Sequence, residues 1–197
     1  MKKATYSLPA SRFISRLMCC FMTLSLFIYF GHPAAKAIDM IEVNSARALL
    51  VEPASGEVLY EKKADEHANP ASLTKIMTAL LIIEYGKLDE TVTVSASALA
   101  DLHPDSSTAG LKIGEEISLR DLLYCILIAS GNDACNAAAE HISGSIPAFV
   151  ALMNKRAQEL GCRDTHFANT HGLTQDDHYT TARDLYKMVL EALKHPL

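Results

Sequence analysis

Residues 119–129 (LRDLLYCILIA) form an almost wholly apolar run, and residues 134–142 (ACNAAAEHI) resume helical character after the interruption Ser130-Gly131-Asn132. A helix apolar on most sides cannot stand in water, so the pattern demands that other helices pack around it. Ser118 is placed to begin this helix, with Asp121 at the reciprocal capping position. Gly131 lets the chain turn tightly between two packed helices, which predicts Ser130 and Asn132 exposed on the same side.

The remaining elements are arranged around that requirement. Residues 46–51 (ARALLV) and 57–61 (EVLYE) flank Glu52-Pro53-Ala54-Ser55-Gly56 and read as a β-hairpin. After Pro70, a natural first-turn residue, Ile76, Met77, Leu80, Leu81 and Ile83 recur at helical spacing until Gly86. Residues 91–94 suit a short strand, followed by a Ser- and Ala-rich stretch of more helical character. Residues 102–114 read as a polar loop. Ser143-Gly144-Ser145 breaks the chain before an amphipathic helix over residues 147–160, closed by Gly161. A loop rich in His, Asn and Thr fills residues 162–180, and a last helix spans 181–193. An α/β (α+β) chain results, a helical cluster with one N-terminal hairpin. A lone two-stranded ribbon is marginal in water, so the sheet reads as incomplete.

The first 37 residues read as a cleaved export signal. Lys2, Lys3, Arg12 and Arg16 precede a 14-residue apolar run at 17–30, and Ala35-Lys36-Ala37 supplies a small-x-small cleavage site. The run is short for a bilayer span of about 20 residues. Cys19 and Cys20 lie inside it as apolar filler. Cleavage removes five basic residues and no acidic one, leaving 13 basic against 23 acidic residues, a net charge of −10. Nucleic-acid binding needs clustered Lys and Arg, so this balance argues against it. Cys125, Cys135 and Cys162 remain; an odd count is a poor disulfide framework, and a bridge from Cys162 to either of the others stays open.

Two short motifs carry chemistry. Ser72-Leu73-Thr74-Lys75 heads its helix, and residues three apart lie on one helical face, close enough for the amine to take the hydroxyl's proton. Lys75 must be neutral to act as a base, which requires burial or a nearby cation. Ser130, 58 residues beyond Ser72, suits proton relay to a leaving amine, and Asn132 suits donation to a substrate carbonyl. Ser-x-x-Lys alone recurs as a capping serine followed by a solvated lysine; its pairing with Ser130-Gly131-Asn132 is what raises the signal. Lys-Thr-Gly, which accompanies such pairs, is not found in the sequence.

Three segments, ANPASLTKIMTALL, LKIGEEISLRDLLYCILIASGNDACNAAAEHI and FANTHGLTQDDHYTTARDL, resemble successive segments of the D-alanyl-D-alanine carboxypeptidases, the low-molecular-weight penicillin-binding proteins of the S11 serine peptidases. The resemblance runs from about Ala46 to the C-terminus. It implies a partial serine β-lactamase/transpeptidase-like fold, with residues 38–197 an incomplete, apparently C-terminally truncated DD-peptidase domain whose later sheet strands are missing. It implies Ser72 as the acylated nucleophile, Lys75 as general base, and Ser130 with Asn132 as the second motif, Ser130 catalytic and Asn132 substrate-binding. Ser106 and Ser107 correspond to the loop bordering the cleft. Lys112-Ile113-Gly114 precedes Ser130 and matches a different segment, so it does not stand in for Lys-Thr-Gly.

The implied substrate is the D-Ala-D-Ala end of peptidoglycan stem peptides at the cell envelope, with β-lactams as inhibitors and neither metal nor organic cofactor. Membrane attachment stays open. Two other readings remain. A class A β-lactamase requires a deacylating Glu, absent from residues 167–185, and Gly131 stands where Asp is expected. A truncated, inactive or merely β-lactam-binding remnant is the third. His166, His171 and His178 share one loop but lack a Cys or carboxylate at ligand spacing, so zinc is not expected.

Overall fold

A computed structural model describes residues 43–100, 102–104 and 106–195. The expected signal segment, residues 1–37, lies outside the described residues.

Strands β1 (Ala48–Glu52) and β2 (Glu57–Lys62) pair antiparallel as the expected hairpin, with a register shift between Leu50 and Val51. Helix α1 (Lys75–Tyr85) follows. Its stop at Gly86 is steric rather than conformational. Gly86 has an ordinary φ of −90°, but a Cβ there would collide with the Leu119 side chain.

The short strand expected at 91–94 is present, but its partner, and so a second small sheet, was not legible in the sequence. Strand β3 (Thr91–Thr93) pairs antiparallel with β4 (Glu116–Ser118), and helix α2 (Ala96–Ala100) lies between them in sequence. Strands of three residues are too short to display alternation. The sheet delivers the chain into helix α3 (Leu119–Ile128), where the Asp121 N–H donates to Ser118 Oγ at 3.0 Å. Helices α4 (Asn132–Ser143), α5 (Ile146–Glu159) and α6 (Ala182–Ala192) complete the described elements. Ser145 and Thr181 cap α5 and α6 through N–H groups three residues on, each bond contributing about 1 kcal/mol.

Helix α1 is the central element, packed on α3, α4, α5 and α6. Its Ala79 and Ile82 join Leu119, Leu122, Leu123 and Ile126 in one apolar cluster. Met77, Leu80 and Leu81 join Phe149, Met153, Phe167 and Met188 in another. Ala134, Cys135, Ala137, Ala138 and Ala139 are all buried, so α4 lies close against its neighbours with little side-chain bulk between. Helix α3 departs from expectation: Tyr124, Leu127 and Ile128 are exposed, Ile128 at 81%. Its burial is one-sided although its composition is apolar all round. All three cysteines of the described residues are free. No helix of the described residues is long and apolar enough to cross a membrane.

Candidate active site

Ser72 stands on a 3₁₀ turn, Ala71–Thr74, that runs directly into α1. The side chain of Asn69 folds this turn by accepting the Ala71 N–H at 2.8 Å, and Ala71 takes a left-handed φ of +47°. In a 3₁₀ turn residues i and i+3 eclipse one another. Ser72 and Lys75 are therefore stacked, with Lys75 Nζ 3.4 Å from Ser72 Oγ. The hydroxyl faces solvent while the lysine is buried.

The turn before α4 brings Ser130 and Asn132 to the same place, but Asn132 is buried rather than exposed as expected. Ser130, not the glycine beside it, takes the left-handed backbone (φ +55°), whereas Gly131 is extended. Gly131 serves close approach: a Cβ there would lie 2.9 Å from Asp133 Oδ1 and 3.2 Å from the Ala109 nitrogen. The Ser130 hydroxyl donates to Ser72 Oγ at 3.0 Å, and Asn132 Oδ1 accepts from Lys75 Nζ at 2.8 Å. The loop carrying Ser106 and Ser107 is tied in through the Asn132 N–H, which donates to the Ser107 carbonyl at 2.9 Å. Buried Asp133 accepts N–H groups from Ala109 and Leu111, fixing the far end of that loop.

A third segment, residues 168–173, closes the floor. The His171 carbonyl accepts from Lys75 Nζ at 2.8 Å. Thr78 Oγ1 donates to the Thr170 carbonyl at 2.5 Å, and Thr170 Oγ1 donates to Asn136 Oδ1 at 2.7 Å. His178 bridges to the nucleophile's turn. Its Nδ1 accepts the Ala168 N–H at 3.0 Å, which assigns the proton to Nε2, 2.8 Å from Thr74 Oγ1. Gly172 is pressed against Ala71, whose carbonyl a Cβ at 172 would overlap.

Burial decides the charge states here. It pushes Lys75 below the ordinary lysine range. The same cause pushes His171 and His178 down to about 4 and Cys135 up to about 12, so all three are neutral near pH 7. A cavity of about 280 Å³ opens over Ser72, bounded by Ser106, Ser107, Asn132, His171, Gly172 and Leu173. A larger one, about 610 Å³, lies behind residues 171–174 and reaches Leu102, Asn136 and Ile146. Ser72 lines only the smaller, with Asn132 beside it, so the chemistry belongs there.

The profile of the peptidase S11 family, D-alanyl-D-alanine carboxypeptidase, matches residues 33–197. The chain belongs to this family. It is 41% identical over 188 residues to the D-alanyl-D-alanine carboxypeptidase DacF of Bacillus subtilis, covering 93% of this chain and 48% of that protein. It is 39% identical over 170 residues to DacC of Escherichia coli, covering 82% and 42%. The crystal structure of penicillin binding protein 5 from Haemophilus influenzae superposes with a TM-score of 0.73 at 35% identity, over 78% of this chain and 46% of that one. The chain thus spans about half the length of the curated relatives it matches. As an S11 member it has the penicillin-binding/transpeptidase-like fold in part, in line with the expected fold class.

The four residues singled out in the sequence of this S11 chain, Ser72, Lys75, Ser130 and Asn132, meet in one hydrogen-bonded cluster. Those not foreseen act through backbone: the His171 carbonyl, the Gly172 close approach and the N–H groups held by Asp133. A carbonyl is present at every residue and leaves no mark in a sequence. The dense Asn, Thr and His content of residues 169–171 was the available signal.

Proposed function

We propose that the chain carries the acylation machinery of a serine D-Ala-D-Ala carboxypeptidase that removes terminal D-alanine from peptidoglycan stem peptides. Residues 38–197 would be an incomplete part of its catalytic domain, exported to the cell envelope behind a signal peptide at 1–37. Family membership supports the reaction class. One observation carries the residue roles: the hydrogen-bond inventory of Lys75. A neutral amine has two N–H donors and one lone pair. Two carbonyl oxygens, Asn132 Oδ1 and His171 O, each 2.8 Å from Nζ, take the two donors. In that neutral form the lone pair would be left to face the Ser72 hydroxyl, 3.4 Å away.

In this reading Lys75 accepts the Ser72 proton as Oγ attacks the carbonyl carbon of the penultimate D-alanine. Ser72 sits on the 3₁₀ turn that leads into α1, near the helix end whose dipole favours developing negative charge. Its own N–H would serve as an oxyanion donor. The C–N bond breaks, and Ser130, already bonded to Ser72 Oγ, passes a proton to the departing D-alanine amine. Asn132 binds the substrate carbonyl through its amide NH₂, since its oxygen is engaged by Lys75. Water then hydrolyses the ester. β-Lactams would follow the same first steps and remain on Ser72.

The test is fluorescent-penicillin labelling of the purified chain, with release of D-alanine from a D-Ala-D-Ala peptide followed in parallel. Labelling that disappears in Ser72→Ala, together with D-alanine release, supports the proposal. Labelling without release favours the alternative, a β-lactam-binding remnant. No Ser72-dependent labelling of a folded sample refutes the assigned roles.

A further inference from the structure

One peptide unit, that joining His171 to Gly172, touches the amine of Lys75. Its carbonyl accepts from Nζ at 2.8 Å, while its N–H donates to Asn169 Oδ1 at 2.6 Å. In a trans peptide these two groups point in opposite directions. Whatever grips the N–H therefore aims the carbonyl. Asn169 Oδ1 also accepts the His171 N–H at 3.2 Å, and its Nδ2 donates to the Leu173 carbonyl and to Gln175 Oε1, each at 2.8 Å. All four hydrogen-bonding positions of this one carboxamide are filled by its own loop.

We infer that Asn169 is a positioning residue for Lys75: it fixes the orientation of the His171–Gly172 peptide, and through that carbonyl the direction of the amine's lone pair. The inference rests on reading Lys75 as the general base, but the placement of the peptide stands independently of activity. Nothing else on the described residues holds that N–H. Thr78, Asn136 and His178 secure Thr170 and Ala168, upstream of the peptide, and leave the 171–172 plane free to rotate. Gly172, at φ +100°, has no side chain to restrain that plane, so beyond its packing on Ala71 the hydrogen bond from Asn169 is what aims it. A bond from Asn169 to the N–H also polarises the carbonyl opposite, strengthening it as an acceptor.

The experiment follows the carbonyl-carbon NMR shift of His171 against pH in the whole chain, with Lys75→Met as the control that removes the titrating amine. Above pH 6, clear of the range in which the His171 ring itself titrates, the parent is expected to show a titration step at His171 that Lys75→Met abolishes. Asn169→Ala is expected to lose the step and, where the parent is acylated by penicillin, to lose about tenfold to a hundredfold in the acylation rate constant with little change in initial binding. Asn169→Asp keeps the acceptor and adds a negative charge, so its step should persist with the midpoint moved to higher pH. A folded Asn169→Ala retaining the parental step overturns the inference. Should that variant not fold, an Asn169→Asp step with an unmoved midpoint overturns it instead. A parent that shows the step but takes no penicillin contradicts the proposed function alone.

Discussion

Asp133 grips the backbone N–H of Ala109 with both carboxylate oxygens, at 2.8 and 3.0 Å, from the first turn of the helix that begins with Asn132. It also accepts the N–H groups of Leu111 and Ala134. One buried side chain thus joins the loop of Ser106 and Ser107 to the turn of Ser130. Asp133→Ala leaves these donors without a partner and should cost about 3 kcal/mol of stability. Asp133→Asn, which replaces an acceptor oxygen by a donor, should cost somewhat less. Urea unfolding measures both, and limited proteolysis should cut first within residues 106–111. Parental stability with an uncut loop would contradict the assignment.

Neutral, buried His171 and His178 make the fold sensitive to mild acid. Their folded pKa values, about 4, lie below the ordinary 6.5, so between those limits the unfolded chain binds more protons. Stability is therefore complete above pH 6.5 and falls as the pH drops towards 4. The loss is on the order of 3 kcal/mol per histidine. Glu52, Asp65, Glu90 and Glu191 are depressed carboxylates whose contribution fades only below their ordinary values of 4.5 or 3.8, outside most of this window. Unfolding midpoints between pH 7.5 and 4.5 should decline, with about half the slope in His178→Gln. A flat profile in the parent would show that these rings are not buried neutral.

Penicillin acylation should rise with pH along a limb set by Lys75. Burial lowers the lysine's pKa from 10.5, so the neutral, proton-accepting fraction grows at lower pH than for an exposed amine. Lys75→Arg cannot supply a neutral base at any working pH and should lose roughly 10²- to 10⁴-fold in acylation rate. Stopped-flow or gel-based labelling across pH 6 to 10 reads both effects. An Arg variant acylating as fast as the parent would remove Lys75 from the mechanism.

Two glycines with similar backbones should respond differently to alanine. Gly56 (φ +74°) has open space around it, so Gly56→Ala pays only conformational strain, about 1 kcal/mol. Gly172 (φ +100°) adds overlap with the Ala71 backbone, and Gly172→Ala should cost about 2–4 kcal/mol while displacing the Ser72 turn. Thermal unfolding separates the pair. Equal costs would mean the loop recedes freely from Ala71.

Much of this could be read from the chain because helix periodicity, capping residues and reactive side chains are local properties. The helix expected from residue 72 and found over 75–85, the hairpin and the cap at Ser118 all follow from such signals. What could not be read depends on neighbours remote in sequence. Glycine at 131 looked like a device for turning the chain, yet the turning residue is Ser130 and the glycine makes room for Ala109. Helix α3 looked buried all round because composition records apolarity, not what covers it; Leu127 and Ile128 face outwards. Strand β4 is defined only by its pairing with β3 across 22 intervening residues.

Helix α1 shares its residues between both apolar clusters, and this gives the site a kinetic character. Its amides cannot reach solvent unless both clusters separate together, so their hydrogen exchange should report the slowest, global opening of the molecule. Strands β1 and β2 pair chiefly with one another and can open at lower free energy. Lys75 is thus mounted on the part of the chain that exchanges last, while Ser72, on the 3₁₀ turn just before it, keeps its place only as long as that turn does.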